Sequence, residues 1–168
     1  MTVISTTTDT DALTLTLVAE FAAPVEQVWQ VWADPRLLEA WYCPPEFPAT
    51  FTTYEFEVGG TAEYHATGPD GTRYPAWWTI TAIEAPHRLE YTDGFADADG
   101  HRLDDPAPTR NTVTLETIGT GTRMTLLCRF DSLPHLKQIE AMGQEEGLSQ
   151  AAAQIDGLLA RASAGSGH

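Results

Sequence analysis

Positive charge is scarce in this chain. Nine lysines and arginines stand against twenty-four acidic residues in 168, a formal net charge of −15. Such a surface repels nucleic acid phosphates and anionic lipid headgroups, so neither is expected as a partner. Cysteine is also rare. Cys43 and Cys128 are the two present, with no CxxC and no neighbouring histidine pair, so neither a disulfide framework nor a structural zinc site is expected. Both thiols are expected reduced in a cytoplasmic protein, with Cys128 in "MTLLCRF" a small buried hydrophobe. No run approaches the eighteen apolar residues of a membrane span, and "MTVISTTTDTDALTLTL" lacks the basic and apolar regions of a signal peptide.

Catalytic signatures are missing as well. There is no G-x-S-x-G, no H-E-x-x-H and no glycine-rich phosphate loop, and Gly68-Pro69-Asp70-Gly71 reads as a turn. Of the histidines, His87 lies in a turn, His101 in an acidic loop and His168 at the chain end, all expected in solvent. His65 shares a strand face with Glu63, and that face is expected to be the outer one. Glu145-Glu146 has no partner in the pattern that would make either a general acid or base. "DADGHRLDD" lacks the spacing and terminal glutamate of a calcium loop. No catalytic residue, metal or cofactor is expected.

What the chain does have is aromatic weight and strand pattern. "VWQVWADPRLLEAWY" (28–42) holds Trp29, Trp32, Trp41 and Tyr42. Val25, Val28, Trp29 and Trp32 fall at helical spacing behind Pro24, and Asp34-Pro35 separates a second short helix. Before them, "ALTLTLVAEF" alternates as a half-buried strand, and residues 1–11 read as a loose polar arm. After them come six strands punctuated by Gly59-Gly60, "GPDGT", Pro86, the acidic loop and Gly119-Thr120-Gly121. "PHLKQIEAMGQEEGLSQAAAQIDGLLARA" reads as one long helix, with Leu148, Ala152, Ile155 and Leu159 on one face and residues 163–168 a flexible tail.

This order predicts an α+β, helix-grip fold over 12–162. A curved seven-stranded antiparallel sheet would wrap a long C-terminal helix, two short helices would follow the first strand, and a cavity would remain between sheet and helix. Alternation turns Ala62, Tyr64 and Ala66 inward, with Leu89, Tyr91, Val113, Leu115, Met124, Leu126, Cys128 and Phe130. Trp78 shares parity with Ala76 and Ile80 and is expected inside, which leaves Trp77 as an exposed indole, either a homodimer contact or a lone surface apolar.

"FAAPVEQVWQVWADPRLLEAWYCP", the GG and GPDG turns, "PHRLEY" and "MGQEEGLSQAAAQIDGLLA" together resemble the START-like (SRPBCC) domains, specifically the bacterial heat-shock-protein ATPase activator (Aha-type) homologues. The resemblance runs from about Leu13 to Ala160. It implies non-enzymatic binding of a small hydrophobic molecule in the grip. Two alternatives are a chaperone ATPase co-factor and a cyclase- or hydrolase-like enzyme using the cavity. The chaperone alternative is weakened because only the activator's C-terminal part is resembled. Leu148 stands where the family has an aromatic, and Ala62 and Ala66 where it has large apolar residues, which implies a roomier cavity there. The expected cavity residues are Trp29, Trp32, Trp41, Tyr64, Trp78, Tyr91, Phe95, Met124, Phe130, Met142 and Leu148. Within the opening stretch, Trp29 and Trp32 are expected as core, and Trp41 and Tyr42 as a gate.

Overall fold

The computed structural model describes residues 3–105 and 107–166. Eight strands form one antiparallel sheet: β1 (Val3–Asp9), β2 (Thr14–Phe21), β3 (Ala49–Tyr54), β4 (Thr61–Thr67), β5 (Arg73–Glu84), β6 (Arg88–Phe95), β7 (Thr109–Ile118) and β8 (Gly121–Arg129). Their spatial order is β1-β2-β8-β7-β6-β5-β4-β3. Hairpins join every strand from β3 to β8 to the next, so local turn chemistry decides most of the topology. Helices α1 (Val25–Ala33) and α2 (Pro35–Trp41) interrupt it after β2. Asp34 separates them, and its carboxylate accepts from the Arg36 amide at 2.9 Å, capping a helix that opens on Pro35.

The architecture is the expected α+β helix grip, with one strand more. Residues 3–9, expected as part of a loose arm, are strand β1, paired along β2 from Val3↔Glu20 to Asp9↔Thr14. Its threonines favour extended backbone without the apolar alternation that betrays a half-buried strand. A distant carboxylate anchors it: Glu145 accepts from the hydroxyls of Thr6 at 2.6 Å and Thr8 at 3.3 Å.

The C-terminal segment differs too. The single long helix is three: α3 (Leu133–Ala141), α4 (Gln144–Ala153) and α5 (Ile155–Ser166). Gly143 adopts φ +82°, a left-handed conformation that ends α3 and lets α4 leave in a new direction. Gln154 closes α4 through its backbone N–H to the carbonyls of Ala151 and Ala152, and α5 starts at the next residue. Residues 163–166, expected in the tail, continue α5, while 167 and 168 lie outside the described residues.

The inner sheet face and the helices share one core. Val28, Trp32 and Leu38 from α1 and α2, Leu17 and Ala19 from β2, Trp78, Ile80, Leu89 and Val113 from the central strands, and Ile155 from α5 are all buried. The inward sets on β4, β6, β7 and β8 agree with the alternation. Both cysteines are free. No helix among the described residues is long and apolar enough to cross a membrane.

An aromatic chamber inside the sheet and a cleft outside it

Adjacent residues on β5 define two different environments. Trp78 faces the core and Trp77 the convex side, because the β4 register opposes Ala62 to Trp78 and Glu63 to Trp77. The bulge in β5 falls between Ile80 and Ala82, after the tryptophans, so the alternation survives through them.

Inside, Trp78 stacks on Tyr91 with centroids 3.9 Å apart and planes 21° from parallel. Phe51 stacks on Tyr64 at 4.6 Å and 14°. Trp32 from α1 meets Trp41 edge-on at 4.8 Å and donates its indole N–H to the Met124 sulfur at 3.4 Å. Tyr42 sits amid these rings, edge-on to Trp41, Phe51, Tyr64 and Trp78 at 5.5, 6.2, 5.7 and 5.0 Å. Its hydroxyl lies 3.0 Å from that of Tyr91. Two contacts hold the segment carrying it: Gln154 donates to the carbonyls of Trp41 at 3.2 Å and Cys43 at 2.7 Å.

The expected cavity is therefore occupied by the protein's own rings. The space left by Ala62 is bordered by its strand neighbours Tyr54 and Trp78, whose rings approach to 5.8 Å. Of the eleven expected cavity residues, Trp32, Trp41, Tyr64, Trp78, Tyr91 and Met124 come together in this chamber. Trp29 is buried against Phe56 at 5.8 Å, away from the stacked rings, which makes it a helix-docking residue. Phe130 packs edge-on to His135 at 5.3 Å, beyond β8. Phe95 and Leu148 are half-buried at the core's edge. Met142 is 57% exposed at the break before Gly143, because the helix expected to carry it inward has already ended. The gate assignment fails for Trp41, which is buried with its indole N–H on the Val31 carbonyl at 2.8 Å.

Phe51, Tyr54, Asp93 and Asn111 belong to the chamber and were not among the expected residues. Asp93 shares parity with Leu89 and Tyr91, so the same alternation carried two residues further would have found it. The Asp93 carboxylate accepts from Asn111 at 3.0 Å, and burial pushes its pKa from 3.8 to about 6. Burial first, and the Asp93 charge with it, raises the hydroxyl pKa values of Tyr42, Tyr64 and Tyr91 well above the usual phenol range. These hydroxyls thus stay protonated at neutral pH. Burial alone pushes the Cys43 thiol up to about 12, which makes it a poor nucleophile. The Trp78 indole N–H is buried beside the Tyr64 hydroxyl and makes no well-formed hydrogen bond among the described residues.

Outside, Trp77 is only 7% exposed, contrary to the exposed indole expected, and the cover comes from its own chain. The segment after β6 folds back over it, with an isolated bridge between Ala96 and Arg102. The Arg102 guanidinium lies 3.9 Å above the ring centroid, and the indole N–H donates to the Phe95 carbonyl at 3.1 Å. Asp97 shapes the turn by accepting from the amides of Asp99 and His101, each at 2.9 Å. Asp97, Asp99 and His101 bring one potential ligand atom each within 4.8 Å of one another on this exposed turn. Beside it opens a cleft of about 540 Å³, bordered by Glu63, His65, Arg73, Trp77, Asp99 and Arg102.

A curled antiparallel sheet gripping a helical C-terminal segment, closed by two short helices and lined with aromatic side chains, defines a START-like domain. Residues 22–160 match the model of the "Activator of Hsp90 ATPase homolog 1-like protein" family, and the chain belongs to that family. It is similar to a protein from Arthrobacter aurescens whose solution structure gives a TM-score of 0.90 at 48% identity, covering 94% of this chain and 91% of that one. A protein from Mycobacterium smegmatis gives 0.87 at 43%, covering 94% and 97%. One from Rhodobacter sphaeroides gives 0.77 at 25%, covering 96% and 99%. No curated protein matches the chain.

Proposed function

We propose that the protein binds a small, mostly apolar aromatic molecule in the chamber, without chemical conversion, and that the Tyr42 ring occupies the ligand's place in the unliganded state. The observation that carries this reading is the Trp78 indole N–H, buried at the centre of a ring cluster beside the Tyr64 hydroxyl yet without a well-formed hydrogen bond among the described residues. An unpaired buried donor costs about 1–3 kcal/mol, a cost that a ligand acceptor would remove. Tyr42 supports the same reading. It lies on the irregular segment after α2 and is half-buried, so it can leave more cheaply than rings fixed on strands. Its departure would open a slot walled by Trp32, Trp41, Phe51, Tyr64 and Trp78, with the Tyr91 hydroxyl free to hydrogen-bond the guest. Apolar walls with a few converging polar groups are the usual form of a small-molecule site.

The test is mass spectrometry of small molecules released by denaturing freshly purified protein, with Trp78→Phe as the comparison. An aromatic molecule bearing a hydrogen-bond acceptor should be enriched in the wild type and depleted in the variant. Equal release from both, or none from either, rejects the reading.

The family description favours a second reading, stimulation of a chaperone ATPase. A purified Hsp90-type ATPase whose turnover is unchanged by excess of this protein would eliminate it.

A further inference from the structure

The outer cleft collects a resource this chain has little of. Of its nine cationic residues, Arg36, Arg88, Arg110, Arg123 and Lys137 are held in ion pairs with neighbouring carboxylates, while Arg129 and Arg161, without an ion pair among the described residues, do not border the cleft. Arg73 and Arg102 border the cleft, and neither side chain has an ion pair or hydrogen bond among the described residues. With twenty-four acids available, two guanidiniums left unpaired on the walls of one cleft are unspent binding capacity. Arg102 is also held in place: its guanidinium carbon lies 3.9 Å over the Trp77 ring, and Trp77 is fixed by its own hydrogen bond to the Phe95 carbonyl. A guanidinium held against an aromatic ring, with no hydrogen bond of its own among the described residues, has N–H groups available for a carboxylate or phosphate and loses little freedom on binding one.

We propose that this cleft is a second ligand site, on the face of the sheet opposite the aromatic chamber, for a small planar molecule bearing an oxyanion. Arg73 and Arg102 hold the oxyanion, and the ligand's flat body lies along Pro75 and Ala96, beside Trp77. The cleft volume of about 540 Å³ falls within the range of small-molecule sites. Glu63 and Asp99 on the walls oppose a bare inorganic anion and require a ligand whose body offers hydrogen-bond donors or neutral surface to them. His65 does not add to the positive charge at neutral pH, since partial burial and the nearby Arg73 hold its pKa below the usual imidazole value. The negative field of the whole molecule excludes casual anions, so occupancy depends on the two arginines.

The proposal is tested by NMR titration of the ¹⁵N-labelled full chain with 1-naphthoate, 1-naphthyl phosphate and the neutral analogue 1-naphthamide. At least one of the two anions should shift the Trp77 indole and the amides of residues 96–102 saturably, and the tighter of the two identifies carboxylate or phosphate as the preferred group. 1-Naphthamide should bind at least tenfold more weakly. Arg73→Ala and Arg102→Ala should each weaken the anion about tenfold, the loss of one charge-assisted hydrogen bond. Arg102→Lys should recover only part, because an ammonium keeps the charge and loses the planar fork. Both arginines are exposed, so unchanged thermal midpoints will show that the variants remain folded. Equal binding of 1-naphthamide, indifference to both arginine substitutions, shifts confined to Trp78 and Tyr42, or no saturable shift at all would each overturn it.

Discussion

Trp77 and Trp78 are chain neighbours, both almost wholly buried, and they are buried by different means. Trp78 lies under the sheet among rings drawn from α1, the segment after α2, β3, β4 and β6, all packed in the main core. Trp77 lies on the convex face and is covered by a loop whose own residues 98–105 are exposed. Burial by a core is cooperative with folding, whereas burial by a loop can be lost while the sheet stays intact. Similarly low exposure thus describes a structural keystone in one case and a ring under a removable lid in the other.

The strongest test of that contrast is a pair of truncations. Trp78→Ala should destabilise the protein by about 3–5 kcal/mol, the range for large aromatic deletions in a core. Trp77→Ala should cost about 1–2 kcal/mol, because the loop can settle onto the strand in its place. Urea denaturation of the two variants decides it, and equal losses would erase the distinction.

The next effect separates the faces by pH. Asp93 belongs to the inner face, and its carboxyl pKa rises from 3.8 to about 6 on folding. The folded state therefore holds the proton more tightly than the unfolded one. The stabilisation contributed by Asp93 should be full below about pH 4, fall as pH rises to about 6, and then level off. The total fall is at most about 3 kcal/mol. Asp93→Asn should flatten the profile across this window and leave the outer cleft unaltered. A variant that retains the wild-type slope would remove Asp93 as its source.

The most local effect probes the lid. A Cβ added at Gly94 would stand 2.6 Å from the Trp77 ring, closer than such atoms can approach. Gly94→Ala should displace the indole and cost about 1–3 kcal/mol, at the lower end if the loop yields. Amide hydrogen exchange across residues 96–102 should quicken while that of the inner strands holds. Exchange that stays slow throughout would show the lid to be as rigid as the core.

Much of this was legible residue by residue. The alternation of "TAEYHAT" and "MTLLCRF" placed Tyr64, Met124 and Cys128 inside, and the shared parity of Ala76, Trp78 and Ile80 chose the inner indole correctly. These are local consequences of a period-2 backbone, and nothing remote could reverse them. Strand β1 was invisible because its threonines carry no amphipathic signal, and its anchor is Glu145, far along the chain. Met142 went astray because a helical pattern was extended across Gly143, where the backbone turns left-handed. The filling of the grip was equally beyond reach. Whether Ala62 and Ala66 leave a void depends on rings from β3, α1 and α2, and volume belongs to the assembly.

By itself the sequence determined the helix-grip plan, its hairpin order, the inward and outward faces of most strands and the family resemblance now confirmed. All of these rest on short-range periodicity and turn residues. Only the tertiary structure decided that Tyr42 fills the chamber as a centre of packing, that the Trp78 N–H makes no well-formed hydrogen bond among the described residues, and that an outward tryptophan is roofed by arginine. Those outcomes depend on which distant side chains reach the same few ångströms, a property of packing that no local pattern encodes.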